Sequence, residues 1–203
     1  MAEGPSYRLT FRRRRNGKTD YRSRRALILS GLPRLVVRGT LNHMIVQIVK
    51  AGVAGDSVVN SAHSHELTKT YGWQGDCGNL PAAYLTGFLC GLRAVNNGVK
   101  ESVLDIGLQA SSRGGRVFAA LKGTIDAGVT VPHDESMLPD ETRISGKHIV
   151  DYANQLTSSD PERYQRRFSQ YLSRGLPPEQ LAEHFSATKR KIEESFEKGG
   201  KQT

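Results

Sequence analysis

The run Arg12-Arg13-Arg14-Arg15-Asn16-Gly17-Lys18-Thr19-Asp20-Tyr21-Arg22-Ser23-Arg24-Arg25 sets eight cations around a single acid, Asp20. Such a segment repels itself and has almost nothing apolar to bury, so it needs an anion to order against and cannot build a core. The fold must come from the residues that follow. Charge counted by region makes the same division: residues 1–25 carry nine Lys and Arg against two acids, a balance of +7, while residues 26–144 balance to zero and residues 145–203 to +2. The net +9 of the 203-residue chain therefore belongs mainly to an N-terminal arm. Arg dominates in it, and planar guanidinium forks suit bidentate phosphate contact and stacking on bases.

The rest of the chain suffices for one core with a modest appendage. Residues 25–32 predict a short helix closed by Gly31 and Pro33. Strands follow over 34–38, 44–49 and 57–62, the second with Met44, Val46 and Ile48 on one face, and the short turns between them imply an antiparallel meander. Asn79-Leu80-Pro81 opens a helix with a capping residue and Pro in the first turn; Leu80, Ala83, Tyr84, Phe88 and Leu92 keep its spacing until Asn97-Gly98. Gly87 and Gly91 are expected to let that helix lie close to the sheet. A strand over 103–106, a loop over 111–115 and a helix over 116–128 come next, then a polar surface loop over 131–143.

Beyond this point the periodicity is helical only. Leu181, Phe185, Thr188, Ile192 and Phe196 form a narrow stripe, which must dock on a partner or on the domain, and residues 199–203 are expected to be disordered. The expected architecture is α/β: a mixed sheet begun by an antiparallel meander and packed with helices, plus an extended basic N-terminal arm and a helical C-terminal extension. The divisions fall at a basic arm over 1–25, an α/β core over 26–133 and the helical extension over 134–203. No internal repeat is visible.

Several function classes receive little support. Cys77 and Cys90 have no second pair to suggest a metal site and read as reduced structural thiols. Charge directly after Gly4-Pro5 is unlike a signal peptide, and the uncharged run over 77–92 reads as too short and too rich in Gly and Ala for a membrane span, so a soluble cytoplasmic protein is expected. His63-Ser64-His65-Glu66 could place two imidazoles on one side of a strand end, but no third ligand completes a metal set. Asp105 and Asp126, with Glu66, are the alternative reading: a magnesium-dependent nucleic-acid enzyme of ribonuclease-H-like build, which requires those carboxylates to cluster. No Gly-x-Ser-x-Gly elbow occurs.

Nucleic acid is the favoured anion for the arm, ahead of a solvated charge run or localisation patch, because Tyr7, Phe11 and Tyr21 interleave with the cations and can stack on bases. Arg113-Gly114-Gly115-Arg116 ends at a predicted helix start, where free N–H groups favour a phosphate; without a following Lys-Ser/Thr it is no nucleotide loop, and an RNA contact and a plain tight turn stay equally open.

Blocks along nearly the whole chain carry a resemblance: Gly4-Pro5-Ser6-Tyr7, Gly17-Lys18-Thr19-Asp20-Tyr21, Pro33-Arg34-Leu35-Val36-Val37-Arg38, Gly78-Asn79-Leu80-Pro81-Ala82-Ala83-Tyr84, Leu104-Asp105-Ile106-Gly107-Leu108 and Phe168-Ser169-Gln170-Tyr171-Leu172. Together they resemble the universal large-subunit ribosomal protein family numbered eighteen in bacterial and archaeal naming and five in the older eukaryotic naming, on its archaeal and eukaryotic branch. The resemblance implies binding without catalysis or cofactor: a clasp on 5S rRNA that helps attach it to large-subunit rRNA in the central protuberance, beside the other 5S rRNA-binding protein and further ribosomal neighbours. It implies RNA contacts at Tyr7, Arg8, Arg12, Arg13, Arg14, Arg15, Lys18, Tyr21, Arg22, Arg24, Arg25, Arg34, Arg38 and His43, and at Arg113 and Arg116. The chain departs from the family pattern at Thr40-Leu41-Asn42-His43, where a common Lys is missing and Leu41 is left to pack instead. His65 stands where Arg is frequent, leaving a pH-dependent cation.

Overall fold

The computed structural model describes residues 4–199. Two short helices, α1 (Arg12–Arg15) and α2 (Tyr21–Leu29), interrupt the arm, so it is not uniformly extended, and neither helix buries a residue. Helix α2 starts four residues before the predicted Arg25 because Asp20 caps it. The Asp20 carboxylate accepts from the Arg22 N–H at 2.9 Å and from the Ser23 hydroxyl at 2.6 Å. Those bonds, the Ser23 hydroxyl first, hold the Asp20 carboxyl below its usual range. The one acid of the cationic run is thus a helix cap.

Strands β1 (Arg34–Gly39), β2 (Met44–Ala51) and β3 (Asp56–His63) form the expected antiparallel meander, and β4 (Val103–Asp105) adds to β1 in parallel, giving the order β3-β2-β1-β4. Alternation decides the faces. Leu35, Val37, Met44, Val46 and Ile48 are fully buried on the helix-covered side, while Arg34, Val36 and Arg38 point to the other. Helix α3 (Ser64–Tyr71), not anticipated, leaves β3 directly, with His63 as its cap and Glu66 closing a capping box.

Helix α4 (Leu80–Asn96) is capped by Asn79, carries Pro81 in its first turn, and is buried along most of its length. Its glycines do not serve the sheet as expected. A Cβ on Gly87 would run into the Ala120 carbonyl, and one on Gly91 would reach 2.6 Å from Ala127 Cβ; Gly123 in turn faces the Tyr84 carbonyl. These residues let α4 and α5 (Arg116–Asp126) approach backbone to backbone.

A 3-10 turn (Glu135–Met137) and α6 (Glu141–Ile144) break the loop expected over 131–143, and Val131 within it is buried. Helices α7 (Lys147–Ser159) and α8 (Pro161–Ser173) pack a small cluster of Ala153, Leu156 and Phe168 between them. Helix α9 (Leu181–Gly199) docks on the domain through the predicted stripe: Leu181, Phe185, Thr188 and Ile192 are buried, and Phe196 packs beside them. His184 of α9 stacks on the buried Trp73 at 5.1 Å and accepts the Gln74 N–H at 3.0 Å. The disordered end expected over 199–203 lies, from residue 200, outside the described residues. Among those described, no helix is long and apolar enough to cross a membrane.

Candidate nucleic-acid interface

The arm presents its cations to solvent. Arg8, Arg12, Arg14, Arg15, Lys18, Arg22 and Arg25 make no ion pair within 4.0 Å among the described residues. Arg13 Nε donates to Thr19 Oγ1 at 2.8 Å, leaving its terminal nitrogens outward. Phe11 meets Tyr21 with ring centroids 5.0 Å apart, which draws α1 and α2 together, yet Phe11 stays 69% and Tyr7 52% exposed. Rings open to solvent between unpaired guanidinium groups are what base stacking and phosphate neutralisation require. Arg24 differs from its neighbours: its Nη2 pairs with Asp56 Oδ1 at 2.8 Å and ties α2 to the start of β3.

Arg34, expected among the RNA contacts, is turned away from solvent. The residue is 3% exposed, with Nη1 on Asp105 Oδ2 at 2.8 Å and Nη2 on Asp56 Oδ2 at 2.7 Å. It belongs to a charge network on the second face of the sheet, which Arg38 completes by donating to Asp105 Oδ1 at 2.8 Å. The Arg38 side chain is 39% exposed and also holds the Asp105 carbonyl at 2.6 Å, so only part of its fork faces outward. Burial pushes the Asp105 carboxyl upward, but the bonds from Arg38 and Arg34 outweigh it and hold the group below its usual range.

A second group gathers at the opposite end of the sheet, roughly 17 Å along β1 at the usual strand rise. His43, His63 and His65 converge there with ring centroids 5.0 to 6.5 Å apart. Cross-strand pairing of Ile45 with His63 brings them together, a juxtaposition invisible in sequence spacing. His43 Nδ1 lies 3.3 Å from the Ser64 hydroxyl, and His63 Nδ1 accepts the His65 N–H at 3.0 Å. Burial, then its two neighbouring rings, lowers the His63 pKa. Leu41 beside them is 90% exposed and does not pack, against expectation, since the hairpin tip carries it away from the core.

The Arg113–Arg116 loop is a tight turn. Gly114 takes φ 65° and donates to the Met137 carbonyl at 3.0 Å, and the Gly115 N–H returns to the Ser112 carbonyl at 3.0 Å. Arg116 turns inward, donating to the carbonyls of Thr40 (3.0 Å) and Gly78 (2.9 Å), and thereby fixes the hairpin against the start of α4. Arg113 remains exposed, while its neighbour Ser112 and Gly115 line a cleft of about 370 Å³ beside the α5 N-terminus.

The carboxylates of the alternative reading are dispersed. Asp105 is consumed by Arg34 and Arg38; Asp126 accepts from the Tyr84 hydroxyl at 2.7 Å and pairs with Lys122 at 3.0 Å; Glu66 pairs with Arg93 at 2.6 Å. Among the described residues no group of His, Cys, Asp or Glu is placed to hold a metal. Cys90 is buried, its thiol pushed up to about 12 by desolvation, and Cys77 is likewise free.

The family of ribosomal large subunit proteins 60S L5 and 50S L18 matches this chain over residues 5–102 and 96–134. The chain belongs to that family. The large ribosomal subunit protein uL18 of Methanothermobacter thermautotrophicus is 56% identical over 194 residues, covering 96% of this chain and 99% of its own. That of Caldivirga maquilingensis is 50% identical over 198 residues, covering 98% and 96%. The family is structural and not enzymatic, which removes the ribonuclease-H-like alternative and agrees with the dispersal of the acids. Its members are components of the large ribosomal subunit.

Proposed function

We propose that this protein binds 5S rRNA and helps attach it to the large-subunit rRNA in the central protuberance, where its neighbours include the other 5S rRNA-binding protein. The observation that carries this reading is the exposed arm, whose unpaired cations and open aromatic rings stand on a body of balanced charge. The arm of residues 1–25 is the primary RNA element and orders fully on RNA, with the ordering cost subtracted from affinity. Its contacts are Tyr7, Arg8, Arg12, Arg13, Arg14, Arg15, Lys18, Tyr21, Arg22 and Arg25, with Arg24 shared between RNA and Asp56. Within the core of residues 26–133, Arg38, His43 and Arg113 add a second set of contacts, and Arg116 positions the hairpin that carries His43. The extension of residues 134–203 braces that core.

Contacts on both the arm and the core suit an RNA that runs along the protein rather than one docked at a point. The test is a titration of the purified chain with 5S rRNA and with a tRNA of similar size across a salt series. Preference for 5S rRNA, with log affinity falling by about 0.7 to 0.9 per neutralised phosphate, supports the assignment. Equal affinity for both RNAs defeats it.

A further inference from the structure

A cleft of about 650 Å³ opens where α7 and α8 meet the Trp73–Gly78 loop. Six successive residues of α8, 166–171, line it. A straight helix turns successive side chains 100° apart and cannot offer six in a row to one cleft. Here the helix is kinked at Phe168 (φ −103°, ψ 15°), and the opened turn brings Arg166 and Arg167 to the same cleft.

The side chains of α8 and of Arg174, its C-cap, divide sharply by commitment. Tyr164 donates to the Glu179 carboxylate at 2.9 Å, Tyr171 accepts from Asn79 at 3.2 Å, and Arg174 holds the Gly75 carbonyl at 3.1 Å. Arg166 and Arg167 are exposed and make no ion pair within 4.0 Å among the described residues. Opposite them Tyr152 of α7 remains 39% exposed, its ring backed by Phe168 at 6.2 Å, and His148 borders the same space. The one acid in the lining, Asp76, already accepts the Gly78 N–H at 3.2 Å.

We propose that this cleft holds a single unstacked nucleotide of rRNA, its base against the Tyr152 ring and its phosphate on Arg166 and Arg167. The inference rests on the rRNA-binding reading above and adds a site that the arm does not supply. A flat ring and two unpaired guanidinium groups lining one open cleft are the combination that single-stranded RNA engages, and the cleft's volume is in the range of small-molecule pockets, whereas a docked helix or strand needs a long groove. The cleft also sits on a helix pair whose own small core fixes its walls, so the ring and the guanidinium groups are held ready.

The test uses the full-length chain with two probes, 5S rRNA and a large-subunit rRNA transcript, and three variants: Arg166→Glu with Arg167→Glu, Tyr152→Ala, and Tyr152→Phe. For the RNA that supplies the nucleotide, the double Arg variant should flatten the salt slope by about 1.5 units, as two lost phosphate contacts require. Tyr152→Ala should weaken binding about tenfold without changing the slope, and Tyr152→Phe, which keeps the ring, should restore it. A photoreactive side chain at position 152 should cross-link to that same RNA. Parental affinity and slope in the Arg and Ala variants for both RNAs would overturn the proposal, as would the absence of any cross-link from position 152 to either RNA. If the parent itself shows no preference for 5S rRNA, the rRNA-binding reading fails instead, and that result is distinct.

Discussion

Asp105→Asn removes the charge that holds Arg34 inside the sheet, and the structure sets the size of the effect. The Arg34 side chain is 4% and the Asp105 side chain 8% exposed, so the pair is well shielded from solvent. Asp105 also receives Arg38 at 2.8 Å and the Gly107 N–H at 2.9 Å. Without the carboxylate, Arg34 keeps only Asp56, and its Nε already lacks a partner. Breaking a buried pair from one side costs about 3–5 kcal/mol; because Asn can still accept from Gly107, about 3 kcal/mol is expected here. That is a large share of a typical total of about 5–15 kcal/mol.

Urea unfolding followed through Trp73, the single tryptophan and fully buried, reads the loss directly; at an m-value of about 3 kcal/mol/M it moves the midpoint down by about 1 M. The double replacement Arg34→Met with Asp105→Leu leaves no buried charge unpaired, since Asp56 keeps Arg24 and Arg38 is 39% exposed, and should recover most of the loss. A penalty below about 1 kcal/mol for Asp105→Asn, or no recovery in the double variant, would refute the view that this pair is a structural tie. The sign with pH follows from the lowered carboxyl: the contribution is complete above the unfolded value of about 3.9 and is lost as pH falls through the lower native one.

Gly87→Ala drives a methyl into the Ala120 carbonyl and forces α4 and α5 apart; a loss of about 1–3 kcal/mol is expected, seen in calorimetry as a drop of several degrees in Tm. Ile192→Ala opens a cavity under α9 and should cost about 2–5 kcal/mol in urea unfolding, even though α9 is the last helix in sequence. Burial, then Lys191, lowers the His184 pKa, so its neutral form is the native one: stability is full above about pH 6.5 and falls as pH drops through the lower native value. His184→Gln should flatten that part of a Tm profile recorded between pH 8 and pH 5. Removing residues 4–20 should leave Tm within a degree or two, because none of them is buried, while flattening the salt slope of RNA binding by several units.

The meander was legible because Leu35, Val37, Met44, Val46 and Ile48 alternate so regularly that one register alone buries them all. The α9 stripe was legible for the corresponding helical reason. Gly87 and Gly91 announced a close approach but not its object, since a missing Cβ carries no address; only the tertiary structure shows α5 on the other side. Arg34 looked like its exposed neighbours because its two carboxylate partners lie 22 and 71 residues away. The same distance effect hid the three-histidine group, which strand pairing assembles, and the α7–α8 cleft, which depends on a kink at a residue, Phe168, that has no helix-breaking tendency of its own. By contrast Asp20 carried a local signal, since Asp is among the residues most preferred at a helix N-cap.

Helix α9 packs on α3 and α4, elements synthesised long before it. About 85 residues separate the end of α4 from the start of α9, so at ordinary elongation rates the apolar surface they share waits on the order of 4–17 s for its cover. Throughout that interval the growing chain offers water both an unfinished hydrophobic face and a finished cationic arm. The arm can meet an RNA before the body that displays it has closed, and a nascent chain of this kind is most exposed to aggregation while α9 is still being made.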